Sequence, residues 1–136
     1  MLLRTDHIEI VPRNFEASLA FYTDLLGFAL AHRYPVDAPP YQEIAYLTQG
    51  DIGLELLRIE SPRPRQEPND RAGFRCIAWE VQDMESLLET LGNKGIEATW
   101  GPLRTEAFIR AEIRDPDGNP IELRQWFRRP GQGVGA

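Results

Sequence analysis

The sequence contains an internal repeat. Residues 7–55 are echoed by residues 76–122, at an offset that drifts only from 69 to 67 residues. The clearest match sets Leu54-Glu55-Leu56 against Ile121-Glu122-Leu123. A repeat that keeps its polar positions at matching places predicts two similar modules that face a shared site. We therefore expect function to lie at the repeated polar positions.

Hydrophobic periodicity predicts the same order of elements in both halves. The first half holds a strand at 6–11, a helix capped by Asn14 and ended by Gly27, and strands at Phe28–Tyr34, Glu43–Thr48 and Ile52–Ile59. The second half holds a strand at Phe74–Val81, a helix capped by Asp83 and ended at Asn93-Lys94-Gly95, and strands at Ile96–Trp100, Phe108–Arg114 and Pro120–Trp126. Each half is thus predicted as β-α-β-β-β, and the fold class as α+β.

The length of 136 residues suits one domain with a real core. We predict a single domain over 1–136 with modules at 6–59 and 74–127. Residues 60–73 are rich in proline and charge and predict a surface linker, and residues 128–136 predict a flexible tail. If each helix covers the apolar face of its own sheet, the opposite faces form a curved mixed sheet around a central cavity.

Composition excludes several classes of function. A net charge of −6 and a pI near 4.9 argue against nucleic-acid binding. No apolar run approaches the ~20 residues of a membrane span, and the N-terminal stretch lacks the apolar core of a signal peptide. The single cysteine has no partner for an internal disulfide. We therefore expect a cytoplasmic protein with no membrane association.

Strand alternation selects the candidate site residues. When the flanking aliphatic residues pack on the helices, the side chains between them point to the opposite face of the sheet. The positions so selected are equivalent in the two modules: His7, Glu55, Cys76 and Glu122. An imidazole with two carboxylates suits a divalent metal ion, since Mn, Fe, Co, Ni and Zn all accept nitrogen and oxygen ligands. Without a cation, carboxylates that share a cavity repel each other.

Arginines share the same predicted face. Strand 108–114 alternates so that Arg110 and Arg114 line or rim the cavity, and Arg124 follows Glu122 on its face. A guanidinium fork can hold a carboxylate or phosphate group of a substrate. Pairing with the chain's own glutamates explains these arginines equally well.

Three segments carry a family resemblance. They are Asp6-His7-Ile8, the helix end Phe21-Tyr22-Thr23-Asp24-Leu25-Leu26-Gly27-Phe28, and the turn and strand from Asp115 through Pro116-Asp117-Gly118-Asn119-Pro120 to Ile121-Glu122-Leu123. With these segments the chain resembles, over residues 6 to 127, the vicinal oxygen chelate superfamily of glyoxalases, bleomycin-resistance proteins and extradiol dioxygenases.

The resemblance implies a metal site and a dimer. Metal-dependent members bind the ion with side chains from the first and fourth strands of each module, which here are His7, Glu55, Cys76 and Glu122. It also implies that Glu55 or Glu122 acts as the catalytic base, and that the protein forms a homodimer. Cys76 stands where many members have histidine. As a thiolate it favours Zn, and as a thiol it leaves three ligands.

Two functions stay open at this point. The first is a metal-dependent lyase, isomerase or dioxygenase in which Zn, Fe, Mn, Ni or Co chelates neighbouring oxygens of a small substrate. The second is a metal-free protein that binds a drug or small metabolite, as bleomycin-resistance proteins do. A site based on the Cys76 thiol is a third hypothesis, but no neighbour in sequence clearly lowers its pKa.

Overall fold

The computed structural model describes residues 1–67 and 70–131. The chain divides into two compact units, Met1–Arg65 and Gln66–Ala136, which are described separately as module 1 and module 2. The division falls inside the predicted linker 60–73. Two of the linker's residues, 68 and 69, lie outside the described part of the chain, as do residues 132–136 of the tail that the sequence predicts to be flexible.

Both modules have the element order that the repeat predicts. Module 1 contains β1 (Ile8–Ile10), α1 (Phe15–Ala20), β2 (Ala29–Ala38), β3 (Tyr41–Gln49) and β4 (Ile52–Ile59). Module 2 contains β5 (Ile77–Glu80), α2 (Met84–Asn93), β6 (Trp100–Arg104), β7 (Phe108–Arg114) and β8 (Pro120–Trp126). The predicted α+β class with tandem βαβββ modules is confirmed.

The sheets of the two modules have the same topology. Their strand orders are β1-β4-β3-β2 and β5-β8-β7-β6. In each sheet the first and fourth strands of the module run parallel, and the other neighbours run antiparallel. The helix supplies the crossover that a parallel pair requires. Helices in the described part of the chain are all too short and polar to cross a membrane.

One face of each sheet forms the core. Leu54 and Leu56 in β4 are fully buried, as is Ile121 in β8, while Leu123 is nearly so. The residues between them, Glu55 and Glu122, point the other way because side chains alternate along a strand. This confirms the predicted assignment of faces on the fourth strand of each module.

The helices begin at the predicted caps. The Oδ1 atoms of Asn14 and Asp83 accept hydrogen bonds at 3.0 Å from the backbone N–H groups of Ala17 and Ser86. Beyond Ala20 the first helix widens into a π-helical turn over Phe21–Leu25. Gly27 then ends it in the left-handed conformation, with φ 83°.

Several strand predictions need correction at their ends. Strand 6–11 is shorter than predicted, since β1 pairs with β4 only over Ile8–Ile10, and strand 43–48 is longer, since β3 spans Tyr41–Gln49. The sequence predicts that strand 28–34 stops at the prolines, but β2 continues to Ala38, with Pro35 opposite Glu43. As β2 is the edge strand of its sheet, the missing N–H of Pro35 is tolerated there. Strand 74–81 is also shorter than predicted, because β5 begins at Ile77, opposite Ile121. The parallel ladder begins there because β8 itself begins at Pro120, which has no N–H to donate.

The strand predicted at Ile96–Trp100 is wrong in position. The N–H of Ile96 still serves the helix, donating to the carbonyl of Leu91 at 2.9 Å. The ladder with β7 therefore starts near Trp100 and runs on to Arg104, past a bulge at Gly101-Pro102. The predicted strand ends before Pro102, whereas the edge strand β6 accommodates this proline.

Close packing at Gly53 gives a prediction about stability. A Cβ at this position would lie 2.5 Å from the hydroxyl of Tyr46 and 2.7 Å from the backbone oxygen of Asp6. We expect Gly53→Ala to lower the free energy of unfolding by about 1–3 kcal/mol through overpacking, measured by urea denaturation. Gly92→Ala is the matched control, because its Cβ meets only Glu97 Oε1 at 3.8 Å. Gly92 lies in the last turn of α2, where that change should stabilise by up to about 1 kcal/mol, and equal effects of the two changes would contradict the packing described.

Candidate functional site

His7 lies one residue before β1, and carboxylates lie beside both nitrogens of its ring. Its Nδ1 lies 2.7 Å from a carboxylate oxygen of Asp6. Because that carboxylate only accepts hydrogen bonds, Nδ1 carries the proton. Its Nε2 lies 3.2 Å from Glu55 Oε2 and 3.7 Å from Glu9 Oε1. The second ring nitrogen therefore faces two carboxylates.

This arrangement fits a cation. The candidate ligand atoms of His7, Glu9 and Glu55 all lie within 4.8 Å of one another. The side chain of Glu55 is only 15% exposed and that of His7 30%, whereas Glu9 is 57% exposed. In the neutral imidazole, the lone pair of Nε2 would meet negative oxygens, so a proton or a metal ion has to lie between them. Nitrogen and carboxylate oxygens are ligands that Zn, Fe, Mn, Co and Ni accept.

The same surroundings raise the pKa of His7. The hydrogen bond that the imidazole donates to Asp6 is the largest cause, and the negative charges of Glu55 and Asp6 and a hydrogen bond to Glu9 add to it, against the opposing effect of burial. Every group that raises the pKa also favours a metal ion over an empty site. Asp6 fixes which ring nitrogen is free, as the outer partner of a metal-bound histidine does.

Tyr46 completes the surroundings of His7. Its ring meets the imidazole edge to face, with 5.9 Å between centroids. Tyr46 lies directly opposite Glu55 in the β3–β4 ladder, and its hydroxyl occupies the space left by the missing side chain of Gly53. The glycine therefore allows the aromatic ring to pack against the imidazole.

Sequence reasoning did not select Glu9 as a ligand, and it offered Tyr46 only as an aromatic wall of the cavity, without placing it beside His7. For Glu9 the signal was present, since strand alternation puts it on the face of His7. For Tyr46 the only available signal was the cross-strand register, which hydrophobic pattern alone does not give.

Module 2 surrounds its equivalent carboxylate with arginines. Glu122 is 11% exposed, and its oxygens lie 3.0 Å from Arg110 Nε and 3.1 Å from a terminal nitrogen of Arg124. The 3.0 Å approach does not have hydrogen-bond geometry, and Nε of Arg110 has no hydrogen-bond partner. Glu112, opposite Glu122 in the ladder, accepts hydrogen bonds from Arg75 and Arg110. Burial opposes ionisation of Glu112, but these two arginines outweigh it and lower its pKa.

Cys76 lies one residue before β5, as His7 does before β1. Its sulfur accepts a hydrogen bond from Arg75 at 3.2 Å. Burial raises the pKa of the thiol, the carboxylates Glu122 and Glu112 raise it further, and Arg75 and Arg110 work against this shift. The raised pKa favours the thiol over the thiolate, which is the form that binds metal ions.

The structure brings together some of the predicted residues and not others. His7 and Glu55 are in contact, while Arg110 and Arg124 surround Glu122. Arg114 is bound elsewhere, to Glu67 at 2.9 Å and to the backbone oxygen of Gly118 at 2.6 Å. Arg75 lies beside Glu112 and Glu122 instead, although alternation in the predicted strand 74–81 puts it on the face of Ile77.

The contact between Asp6 and His7 predicts a measurable titration. Asp6→Asn removes a negative charge and the strongest hydrogen bond to the imidazolium, so the pKa of His7 should fall. Titration of the imidazole C–H resonances by NMR measures it, and His32→Gln assigns the signal, since the chain has two histidines. An unchanged or higher pKa of His7 in the Asp6→Asn protein would refute the described contact.

The surroundings of Cys76 predict low reactivity. Because the pKa of the thiol is raised, alkylation by iodoacetamide should be slow at pH 7 and should accelerate through the alkaline range. Arg75→Gln removes a charge that lowers this pKa, so it should slow the reaction further at a given pH. Arg104→Gln removes an equal charge that lies over the ring of Phe127 and serves as the control. A rate that already levels off below pH 8 would contradict the raised pKa.

Comparisons with known proteins agree with this fold. The family model described as Glyoxalase/Bleomycin resistance protein/Dioxygenase superfamily matches residues 4–123. The Bacillus subtilis (strain 168) protein YwkD is 31% identical over 127 residues, covering 90% of this chain and 98% of YwkD. A lactoylglutathione lyase of Neisseria meningitidis serogroup A is 28% identical, covering 90% and 91%. The crystal structure of a glyoxalase family protein from Enterococcus faecalis superimposes with a TM-score of 0.76 at 27% identity, covering 89% and 96%. The chain belongs to the Glyoxalase/Bleomycin resistance protein/Dioxygenase superfamily.

Proposed function

We propose that this protein is a metal-dependent lyase, isomerase or dioxygenase that acts on a small oxygen-rich substrate. The observation that carries the proposal is the orientation of His7. Its Nδ1 is bound by Asp6, and its Nε2 faces the carboxylates of Glu55 and Glu9. His7 and Glu55 are the proposed ligands in module 1. Ligation by Cys76 and Glu122 in module 2 stays a prediction.

The proposed roles follow from charge and exposure. A divalent ion, when bound, supplies Lewis acidity toward two neighbouring oxygens of a substrate. Asp6 holds the imidazole in the tautomer that leaves Nε2 available. Glu55, which is largely buried and next to His7, is the proposed base that takes a proton from the substrate. Glu122 is the equivalent carboxylate of module 2, and the prediction that it acts as a base rests on the family resemblance alone.

Metal uptake tests the proposal directly. Protein stripped with a chelator should bind about one equivalent of Zn, Co, Ni, Mn or Fe, measured by calorimetry and elemental analysis. His7→Gln and Glu55→Gln should each weaken binding by more than about 100-fold, and Asp6→Asn by about 10–100-fold. His32→Gln is the matched control, because His32 lies on the exposed edge strand β2 and should leave the affinity unchanged.

Two outcomes separate the possible ligand sets. No uptake by the wild-type protein, or equal uptake by His7→Gln, would overturn the metal-dependent function. Loss of binding in Glu122→Gln would support ligands from both modules, whereas retained binding would confine the ligands to module 1. Since relatives carry the name lactoylglutathione lyase, that activity is the first to assay, with and without metal.

A second candidate function is metal-free binding of a drug or small metabolite. The state of module 2 favours it, because a thiol of raised pKa at residue 76 and a glutamate beside two arginines are weak metal ligands. The family description itself includes bleomycin resistance proteins. Ligand binding by the chelator-treated protein without any turnover on adding metal would favour this function over the first.

We also infer a homodimer in the cytoplasm. Large apolar side chains are exposed on the edge strands, with Leu30 and Tyr34 on β2 and Trp100 and Leu103 on β6. Exposed apolar edges are usually covered by a partner. The lone free cysteine is in keeping with a reducing compartment. Light scattering after gel filtration tests the oligomeric state, and a monomer at micromolar concentration would contradict the dimer.

A further inference from the structure

Two like-charged pairs lie side by side on the sheet of module 2. Glu112 is directly opposite Glu122, and two residues further along the same face Arg110 is directly opposite Arg124. Like charges in opposite positions destabilise a sheet. Part of that cost is offset where the arginines meet the glutamates. We call these four residues, together with Arg75, the charged block. Stability of the sheet alone does not explain this arrangement of charges.

The fold itself does not require these charges. In module 1 the position equivalent to the arginine pair is occupied by Ile44 opposite Leu57. The glutamate pair has Tyr46 opposite Glu55 as its counterpart. Because the same topology and register accept an aliphatic pair, the arginines of module 2 serve something other than the fold.

The charges and donors of the block do not balance. Arg75, Arg110 and Arg124 face Glu112 and Glu122, which leaves one positive charge over. Three guanidiniums carry about fifteen N–H donors against about eight lone-pair sites on two carboxylates. The block therefore has both charge and hydrogen-bonding capacity for one further anion.

Arg124 is the arginine of the block that lines a cavity. Its guanidinium carbon lies 4.4 Å from the ring centroid of Phe108 and 4.9 Å from that of Trp126, so the planar group is held by two aromatic rings. Arg124 and Trp126 line a cavity of about 400 Å³ together with Trp79, Glu122 and the ion pair of Arg129 with Glu80, which adds no net charge. That volume lies in the range of small-molecule sites.

We propose that module 2 binds a small monocarboxylate with an aromatic or apolar body, its carboxylate on Arg124 and its body along Trp126. A single negative charge matches the excess of one positive charge, and a second would meet the carboxylate of Glu122. An apolar body matches the indole wall. The inference names a class of substrate for the proposed function. Binding of the ligand is argued from the contacts above, and only its role as a substrate rests on the proposed function.

Benzoate binding by the chelator-treated protein tests the inference. We expect benzoate to bind and to change the tryptophan fluorescence, and benzamide, which has the same shape without the charge, to bind at least about tenfold more weakly. Arg124→Gln should weaken benzoate binding by about tenfold or more. Arg104→Gln is the matched control. It removes an equal charge from the same module, and the guanidinium of Arg104 also stacks on an aromatic ring. This substitution should leave benzoate binding unchanged.

The outcomes are separable from those of the metal proposal. Equal binding of benzamide, or an equal loss in Arg104→Gln, would overturn the inference. If Arg124→Gln fails to fold, the comparison of benzoate with benzamide on the wild-type protein decides, together with NMR shift changes at the amides of Arg124 and Trp126. Failed benzoate binding with normal metal uptake counts against this inference alone. Failed metal uptake with normal benzoate binding counts against the proposed function alone.

Discussion

The parallel pairing of the first and fourth strands determines where the polar groups of each module lie. With Ile8 opposite Leu54, His7 at the end of β1 comes beside Glu55 of β4. With Ile77 opposite Ile121, Cys76 takes the equivalent position in module 2. A register shift of one residue would turn these side chains to the other face and put leucines in their place. The buried aliphatic residues of the fourth strands therefore stabilise the core and, by fixing the register, also position the candidate site.

Equivalent positions in the two modules have diverged into opposite electrostatic environments. In module 1 carboxylates predominate around His7, which raises its pKa and favours a cation. In module 2 arginines outnumber the carboxylates, which lowers the pKa of Glu112 and leaves positive charge over. Burial hardly differs between the two central glutamates, with 15% exposure for Glu55 and 11% for Glu122. The neighbouring side chains, rather than burial, therefore cause the opposite electrostatic environments of the two glutamates.

The sequence was sufficient to predict the fold because alternation and capping act locally. Asn14 and Asp83 cap their helices as predicted, and the faces of β4 and β8 follow from period-two alternation alone. Positions that depend on tertiary contacts were missed. The predicted strands end at Tyr34 and Trp100, yet Pro35 and Pro102 both lie in edge strands, and whether a strand lies at the edge is decided only by the sheet order. Arg75 was missed because alternation in the predicted strand 74–81 puts it on the face of Ile77, whereas β5 begins only at Ile77 and the side chain of Arg75 reaches Glu112 from outside the strand.

The two roles predicted for β8 draw on the same charges. Glu122 as a metal ligand needs its carboxylate oxygens, which now lie beside Arg110 and Arg124. An anion on Arg124 needs the guanidinium that lies beside Glu122. Each oxygen and each N–H group has a limited number of partners, so a new charged partner replaces an existing one. An anion that takes over the guanidinium of Arg124 therefore removes one of the positive groups beside Glu122, while Arg110 stays. Under the two proposals, binding of a carboxylate ligand and binding of a metal ion at Glu122 would be coupled through the contact between Arg124 and Glu122, and the equivalent ladder position of module 1 holds Leu57.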